Sequence, residues 1–301
     1  MVSPPFLKTG DKVGIAAPGR KISVQEVKAA GVILDSWGVN VVHAPNLCSD
    51  AHGYLAGSDK ERISDFQLLL DSPEIKAIIC ARGGYGTTRI LDALNFSALL
   101  ENPKWIVGFS DITALHLRLD KLGINSIHST MPIFFARAES SESVESLWAV
   151  LGGQRKGIYG PANENNKHGI ATGRMIGGNL SLIADSIGTS SDPDTDGKIL
   201  VLEEIDEYSY KIDRMLMHLK RSGKLNNLAG LIIGHMSDIR EPELPFGESI
   251  GDIVLGKVSD SKFPVAFNFP IGHENPNLAW IHGSMMTLSV SQQGSELLPL
   301  S

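Results

Sequence analysis

Short apolar runs alternate with amphipathic stretches through the first half of the chain, and this alternation restricts the fold more than any other feature. It is the pattern of β-α units wrapped around a parallel sheet. Residues 12–17, Lys-Val-Gly-Ile-Ala-Ala, read as a first strand. Ser23-Val24-Gln25-Glu26 then has the spacing of a capping box, in which a hydroxyl and a carboxylate each satisfy an orphan helix amide. Val27, Val32, Ile33 and Trp37 give that helix an apolar face, and Gly38 ends it. Residues 40–43 form a second strand, and Ser58-Asp59-Lys60-Glu61 opens a second helix in the same way. The near-continuous apolar run Ala77-Ile78-Ile79-Cys80 is expected of a strand covered on both faces, and it leads into Arg82-Gly83-Gly84-Tyr85-Gly86. Strands at 105–110 and 125–128 and helices at 111–122 and 140–151 complete this half.

A chain of 301 residues exceeds the usual size of one domain, so a seam is expected. The stretch 154–168 is polar, rich in Gly and Asn, and without periodicity. The expected organisation is an α/β domain over 1–155 with a parallel, Rossmann- or flavodoxin-like sheet, a linker over 156–170, and a β-rich domain over 171–301. In that last part 198–202, 228–233 and 265–269 read as strands, and Ile212, Met215, Leu216 and Leu219 mark one amphipathic helix. With 42% hydrophobic and 20% charged residues the chain is an ordinary globular protein rather than a disordered one. A net charge of −7 supplies no general field for nucleic acid or an anionic membrane, so neither is expected as a partner. No apolar run approaches the roughly 18 residues of a membrane helix, and no signal-peptide pattern opens the chain, so the cytoplasm is the expected address. Cys48 and Cys80 are expected to be free thiols, Cys80 as a small core residue.

Ser110 falls where a strand hands over to a helix. A nucleophile there gains exposure at the sheet edge, the helix dipole, and amides ready to hold an oxyanion. Gly108-Phe109-Ser110-Asp111 lacks the second glycine of the full nucleophile elbow, because position 112 is Ile; taken alone, Ser110 serves equally well as a helix cap. The Gly83-Gly84 turn, at the end of a different strand, offers a second amide. It has no Lys-Ser/Thr ending, and no Gly-x-Gly-x-x-Gly follows the first strand, which argues against nucleotide binding. A serine needs a base. His43, His52, His116, His168, His218 and His282 read as core or surface residues, whereas His128, His235 and His273 each follow an apolar run, and the residues alone do not choose among the three. Glu203-Glu204 leads as the group that orients the base, with alternation along a strand expected to send one carboxylate inward and the other to solvent. No His/Cys/Asp pattern has metal-ligand spacing, so neither metal nor cofactor is expected.

Six segments in register resemble the LD-carboxypeptidase family, the muramoyltetrapeptide carboxypeptidases. They are Ala17-Pro18, Arg82-Gly83-Gly84-Tyr85-Gly86, Gly108 to Leu115, Gly177-Gly178-Asn179-Leu180-Ser181, Leu202-Glu203-Glu204 with Tyr210 to Arg214, and Phe269-Pro270-Ile271-Gly272-His273. The resemblance implies a Ser-Glu-His triad of Ser110, Glu203 and His273, with the serine on the N-terminal domain, the other two on the C-terminal domain, and the active site at their interface. It implies an oxyanion hole of backbone amides from Asp111 and Gly84 or Gly83, and a homodimer. It also implies the reaction, removal of the terminal D-Ala from a cytoplasmic murein tetrapeptide during cell-wall recycling. An exopeptidase must recognise a free carboxylate, for which Arg82 and Arg174 are the candidates. A related branch cleaves microcin-type peptidyl nucleotides and acyl-sulfamoyl adenylates, although the Arg-Gly-Gly-Tyr-Gly turn looks more like the murein branch. The alternative from another class is a non-catalytic peptide-binding module on the same scaffold.

Overall fold

The computed structural model describes residues 1–300. In chain order the first strands are β1 (Lys12–Ala16), β2 (Asn40–His43), β3 (Ile75–Cys80), β4 (Trp105–Gly108), β5 (Ser126–His128), β6 (Ile158–Gly160) and β7 (Gly169–Asn179). They are followed by β8 (Lys198–Ile205), β9 (Gly230–Ser237), β10 (Val265–Ala266), β11 (Trp280–His282), β12 (Met285–Ser291) and β13 (Gly294–Pro299). The chain divides into two compact units, Met1–Arg155 with Pro276–His282, and Lys156–Asn275 with the segment from Gly283 onward.

The first unit is built on a sheet in the order β11-β5-β4-β3-β1-β2, in which β1 to β5 run parallel and β11 is antiparallel to β5. Strand order reverses between β1 and β3, and in such a sheet the loops leaving the carboxyl ends part there and open a crevice. Val13, Ile15, Ile78, Ile79, Ile106 and Val107 are fully buried, which is why these strands read as unbroken apolar runs. Both expected capping boxes form, Ser23 with Glu26 ahead of the helix Val24–Ser36 and Ser58 with Glu61 ahead of Asp59–Asp71.

The second unit has a sheet in the order β10-β9-β8-β7-β12-β13-β6. Its strands β7 to β10 are parallel, and the helices Leu180–Ser186, Ser209–Arg221 and Ile250–Lys257 make the crossovers between them. Asn179 at the end of β7 aligns with Glu203 near the end of β8. Opposite Glu203 the register of β9 slips, a bulge that sets Gly234 and His235 against one residue of β8.

Two stretches differ from the sequence reading. Within 156–170, taken as a linker, β6 pairs with β13 and Lys167 N–H donates to Val265 O at 2.9 Å. A three-residue edge strand carries no apolar periodicity, so its sequence looks like a loop. Residues 276–282, taken as part of the C-terminal domain, return to the first unit as β11, through pairing that no local pattern encodes.

Candidate active site

In the first unit the chain leaves three neighbouring strands at one edge: Ala17-Pro18-Gly19-Arg20 after β1, Ala81-Arg82-Gly83-Gly84 after β3, and Phe109-Ser110 after β4. Ser110 is half-buried and has φ of 62°, a left-handed backbone that non-glycine residues adopt only where the surroundings impose it. A short 3-10 turn, Ser110–Ile112, follows and runs into the helix Thr113–Lys121, which receives no side-chain cap at its start. The single helix expected over 111–122 thus begins with a tighter turn. Gly83 is packed against the serine, since a Cβ on it would stand 3.0 Å from Ser110 Cβ and 3.2 Å from Ser110 Oγ. Gly83 O accepts Arg20 N–H at 3.4 Å. The Gly84 amide of that same trans peptide therefore points the opposite way.

Asp111 is fixed by its side chain. Its Oδ2 accepts Thr87 N–H at 3.0 Å and Thr87 Oγ1–H at 2.6 Å, which ties the serine turn to the glycine turn. Burial raises the Asp111 carboxyl above its ordinary value, against the lowering effect of the bonds from Thr87 and Gly86 and the charge of Arg62. The other end of the serine turn hangs on Gly108 O, which accepts Ser129 N–H at 3.0 Å and His116 Nε2–H at 2.9 Å. His116 Nδ1 in turn accepts Ser126 Oγ–H at 2.8 Å, and burial pushes its pKa down to about 4, so the ring is a neutral bridge.

In the second unit Glu203 and His273 come together, with His273 Nδ1–H donating to Glu203 Oε2 at 2.6 Å. The carboxylate is fully buried, and its Oε1 has no partner among the described residues, so the imidazole is its strong donor. Gly272 has φ of 125°, and a Cβ there would stand 3.0 Å from Glu203 Cβ; only glycine lets the chain deliver His273 this closely over the carboxylate. Burial depresses the His273 pKa, but the charge and hydrogen bond of Glu203, with the charge of Glu204, outweigh burial and leave it above 6.5. A bond at Nδ1 leaves Nε2 as the basic nitrogen.

Glu204 is the correction to the strand-alternation argument. It is buried too, because helices cover the second face of this sheet. It accepts Asn179 Nδ2–H at 2.7 Å, Ser181 N–H at 2.7 Å and Ser181 Oγ–H at 2.6 Å. The Gly-Gly-Asn-Leu-Ser segment is thus the clamp on the second carboxylate. Of the other two histidines left open by the sequence, His128 is fully buried and stacks on Trp280 at 5.1 Å between ring centres. His235 accepts Glu274 N–H at its Nδ1, 3.1 Å away, and burial is the chief cause of its lowered pKa. Arg174 lies five residues before Asn179 on β7, roughly 16 Å along the strand from the Glu203 end at about 3.3 Å per residue. The structure thereby separates it from the Glu203–His273 pair. Cys80 is buried and its thiol is pushed up by burial, as befits a core residue.

Two family models match the chain, the LD-carboxypeptidase N-terminal domain over residues 13–129 and the LD-carboxypeptidase C-terminal domain over 172–288. The chain belongs to the LD-carboxypeptidase family. It is a serine-type peptidase of that family. It is 32% identical to the probable murein peptide carboxypeptidase of Bacillus subtilis, over 96% of this chain and 92% of the relative. The crystal structure of the muramoyltetrapeptide carboxypeptidase from Oxalobacter formigenes superposes with a TM-score of 0.87 at 28% identity, covering 95% of this chain and 97% of that one. The microcin C7 self immunity protein in complex with aspartyl sulfamoyl adenosine has the same fold, with a TM-score of 0.87 at 21% identity over 100% of this chain and 99% of that one.

Sequence reasoning missed Thr87, His116 and Arg20, which hold or border the LD-carboxypeptidase serine turn. Arg20 had a readable signal, its place just past the first strand, whereas Thr87 and His116 act through contacts between elements. The packing of Gly83 on Ser110 predicts that Gly83→Ala leaves the circular dichroism spectrum intact and lowers kcat/KM by about 100-fold, since a displacement of about 1 Å is enough for such a loss. Unchanged kcat/KM would mean that the turn does not set the position of the serine.

Proposed function

We propose that the chain is a metal-independent LD-carboxypeptidase that removes the terminal D-Ala from murein tetrapeptide, with Ser110 as nucleophile, His273 as general base and Glu203 as the group that orients it. The observations that carry this reading are a strained, glycine-flanked Ser110 in the first unit and a histidine bound to a buried carboxylate in the second, in a chain whose relatives are named for murein peptides. His273 Nε2 takes the proton of Ser110 Oγ as the oxygen attacks the scissile carbonyl. Glu203 holds the Nδ1–H tautomer and balances the imidazolium that results. The oxyanion is held by the amides of Asp111 and Gly84. Asp111 stands within the first turn of a helical segment, where backbone N–H groups have no intrahelical acceptor, and the Gly84 N–H points away from the carbonyl that Arg20 occupies. His273 then protonates the leaving D-Ala nitrogen, the acyl-enzyme forms, and water hydrolyses it by the same route in reverse.

This reading has the enzyme working in the cytoplasm as a homodimer on cell-wall fragments returned for re-use. The murein branch is favoured over the peptidyl-nucleotide branch because the similarity to murein peptide carboxypeptidases extends to sequence, whereas at 21% the microcin immunity protein shares the fold alone.

Mass spectrometry of murein tetrapeptide incubated with wild type and with Ser110→Ala tests the reaction. Loss of one alanine with wild type only is expected; cleavage by the variant at the wild-type rate would remove Ser110 from the mechanism, and an intact peptide in both would remove the substrate. The pH profile tests the base. Because only the neutral imidazole accepts a proton, kcat/KM should fall as pH drops through the His273 pKa, with a midpoint above 6.5 in wild type. Glu203→Gln takes away the charge that outweighs burial, so the midpoint should move down. An unmoved midpoint would contradict the pairing.

A further inference from the structure

The loops that present Ser110 also gather positive charge. Arg20 follows β1, Arg82 follows β3, and Arg137 follows the short helix Pro132–Phe135. Arg20 packs on the glycine turn, since a Cβ at Gly84 would stand 2.9 Å from Arg20 Cβ. Its guanidinium lies 5.0 Å over the Tyr54 ring, and that of Arg137 lies 4.8 Å over the Phe134 ring. Arg82 is half-buried, and its Nη1 donates to Lys21 O at 3.3 Å. None of these contacts neutralises charge, and among the described residues none of the three arginines is ion-paired. Burial, and then the charge of Arg20, press the Arg82 guanidinium below its ordinary value, with Arg137 adding to the repulsion. The carboxylate in the field of Arg82 and Arg137 is Glu26, which is engaged in the capping box, accepting Ser23 N–H at 2.8 Å.

The helix before Arg137 is tied to the end of β3, Ile133 N–H donating to Ala81 O at 3.1 Å, so three guanidiniums gather at this edge with one occupied carboxylate beside two of them, a cluster of like charge that is unfavourable until an anion enters it. Its position limits what the anion can be. Arg82 is the residue before Gly83, which touches Ser110. In a peptide acid the terminal carboxylate carbon is three bonds from the scissile carbonyl carbon, roughly 3–4 Å away, so its receptor must adjoin the nucleophile. We infer that Arg20, Arg82 and Arg137 form an anion receptor that holds the negative group of the leaving portion of the substrate, the free terminal carboxylate of a peptide. Guanidinium forks suit a carboxylate, and they suit a phosphoryl oxygen equally, so a peptidyl nucleotide would present the same chemistry to the same arginines. The inference rests on the carboxypeptidase reading for the identity of the ligand, while the receptor itself follows from the charges.

The test separates binding from turnover. Isothermal titration of the Ser110→Ala protein compares murein tetrapeptide, its C-terminal amide, and adenosine monophosphate. The acid should bind at least tenfold more tightly than the amide, about 1.4 kcal/mol. Arg82→Gln should abolish that preference, and Arg20→Gln, a change at an exposed position, should reduce it while the circular dichroism spectrum stays unchanged. Tighter binding of adenosine monophosphate than of the acid, lost in Arg82→Gln, would keep the receptor and assign it to a phosphoryl group. Equal affinity for acid and amide, or no binding of either anion, overturns the receptor. Wild type that leaves the tetrapeptide uncut, beside arginine-dependent binding of the acid, would defeat the carboxypeptidase reading and leave the receptor standing.

Discussion

A serine held in the left-handed region of backbone space is the constraint around which the first unit is arranged. Ser110 at φ of 62° carries strain of order 1–3 kcal/mol that must be offset by its surroundings. The fully buried β4 anchors the chain ahead of it, Gly108 O is held by two donors, and the Asp111 side chain is bound to Thr87 behind it. The turn has no freedom to relax. Gly83 fills the space beside the side chain.

In the second unit two adjacent carboxylates have different surroundings. Glu203 Oε2 accepts His273 Nδ1–H, and its Oε1 has no partner among the described residues. Glu204 is saturated by Asn179, Ser181 and the Ile205 amide, so its charge adds to the field on His273 without competing for the imidazole. Burial alone would lower the basicity of His273, and the paired carboxylates reverse the sign.

Much of this was legible in the sequence where the signal is local. The capping boxes at Ser23 and Ser58, the buried runs of β3 and β4, and the strand-to-helix placement of Ser110 all follow from spacing and apolar pattern. The resemblance to the LD-carboxypeptidases, rather than any periodicity, singled out His273 among three histidines. What stayed hidden depends on pairing between distant segments. β6 is too short to announce itself, β11 joins a sheet far away in sequence, and the burial of Glu204 depends on helices packed over the sheet. The Asp111–Thr87 tie and the His116 bridge are likewise contacts between elements, invisible to a reading that proceeds along the chain.

Whether Ser110 is a nucleophile activated by His273 can be read by reacting the protein with a phosphonofluoridate and mapping the adduct by peptide mass spectrometry. One adduct is expected, on Ser110, forming more slowly as the pH falls through the His273 titration and collapsing in rate in His273→Ala. An adduct on a different serine, or equal rates in wild type and His273→Ala, would contradict it.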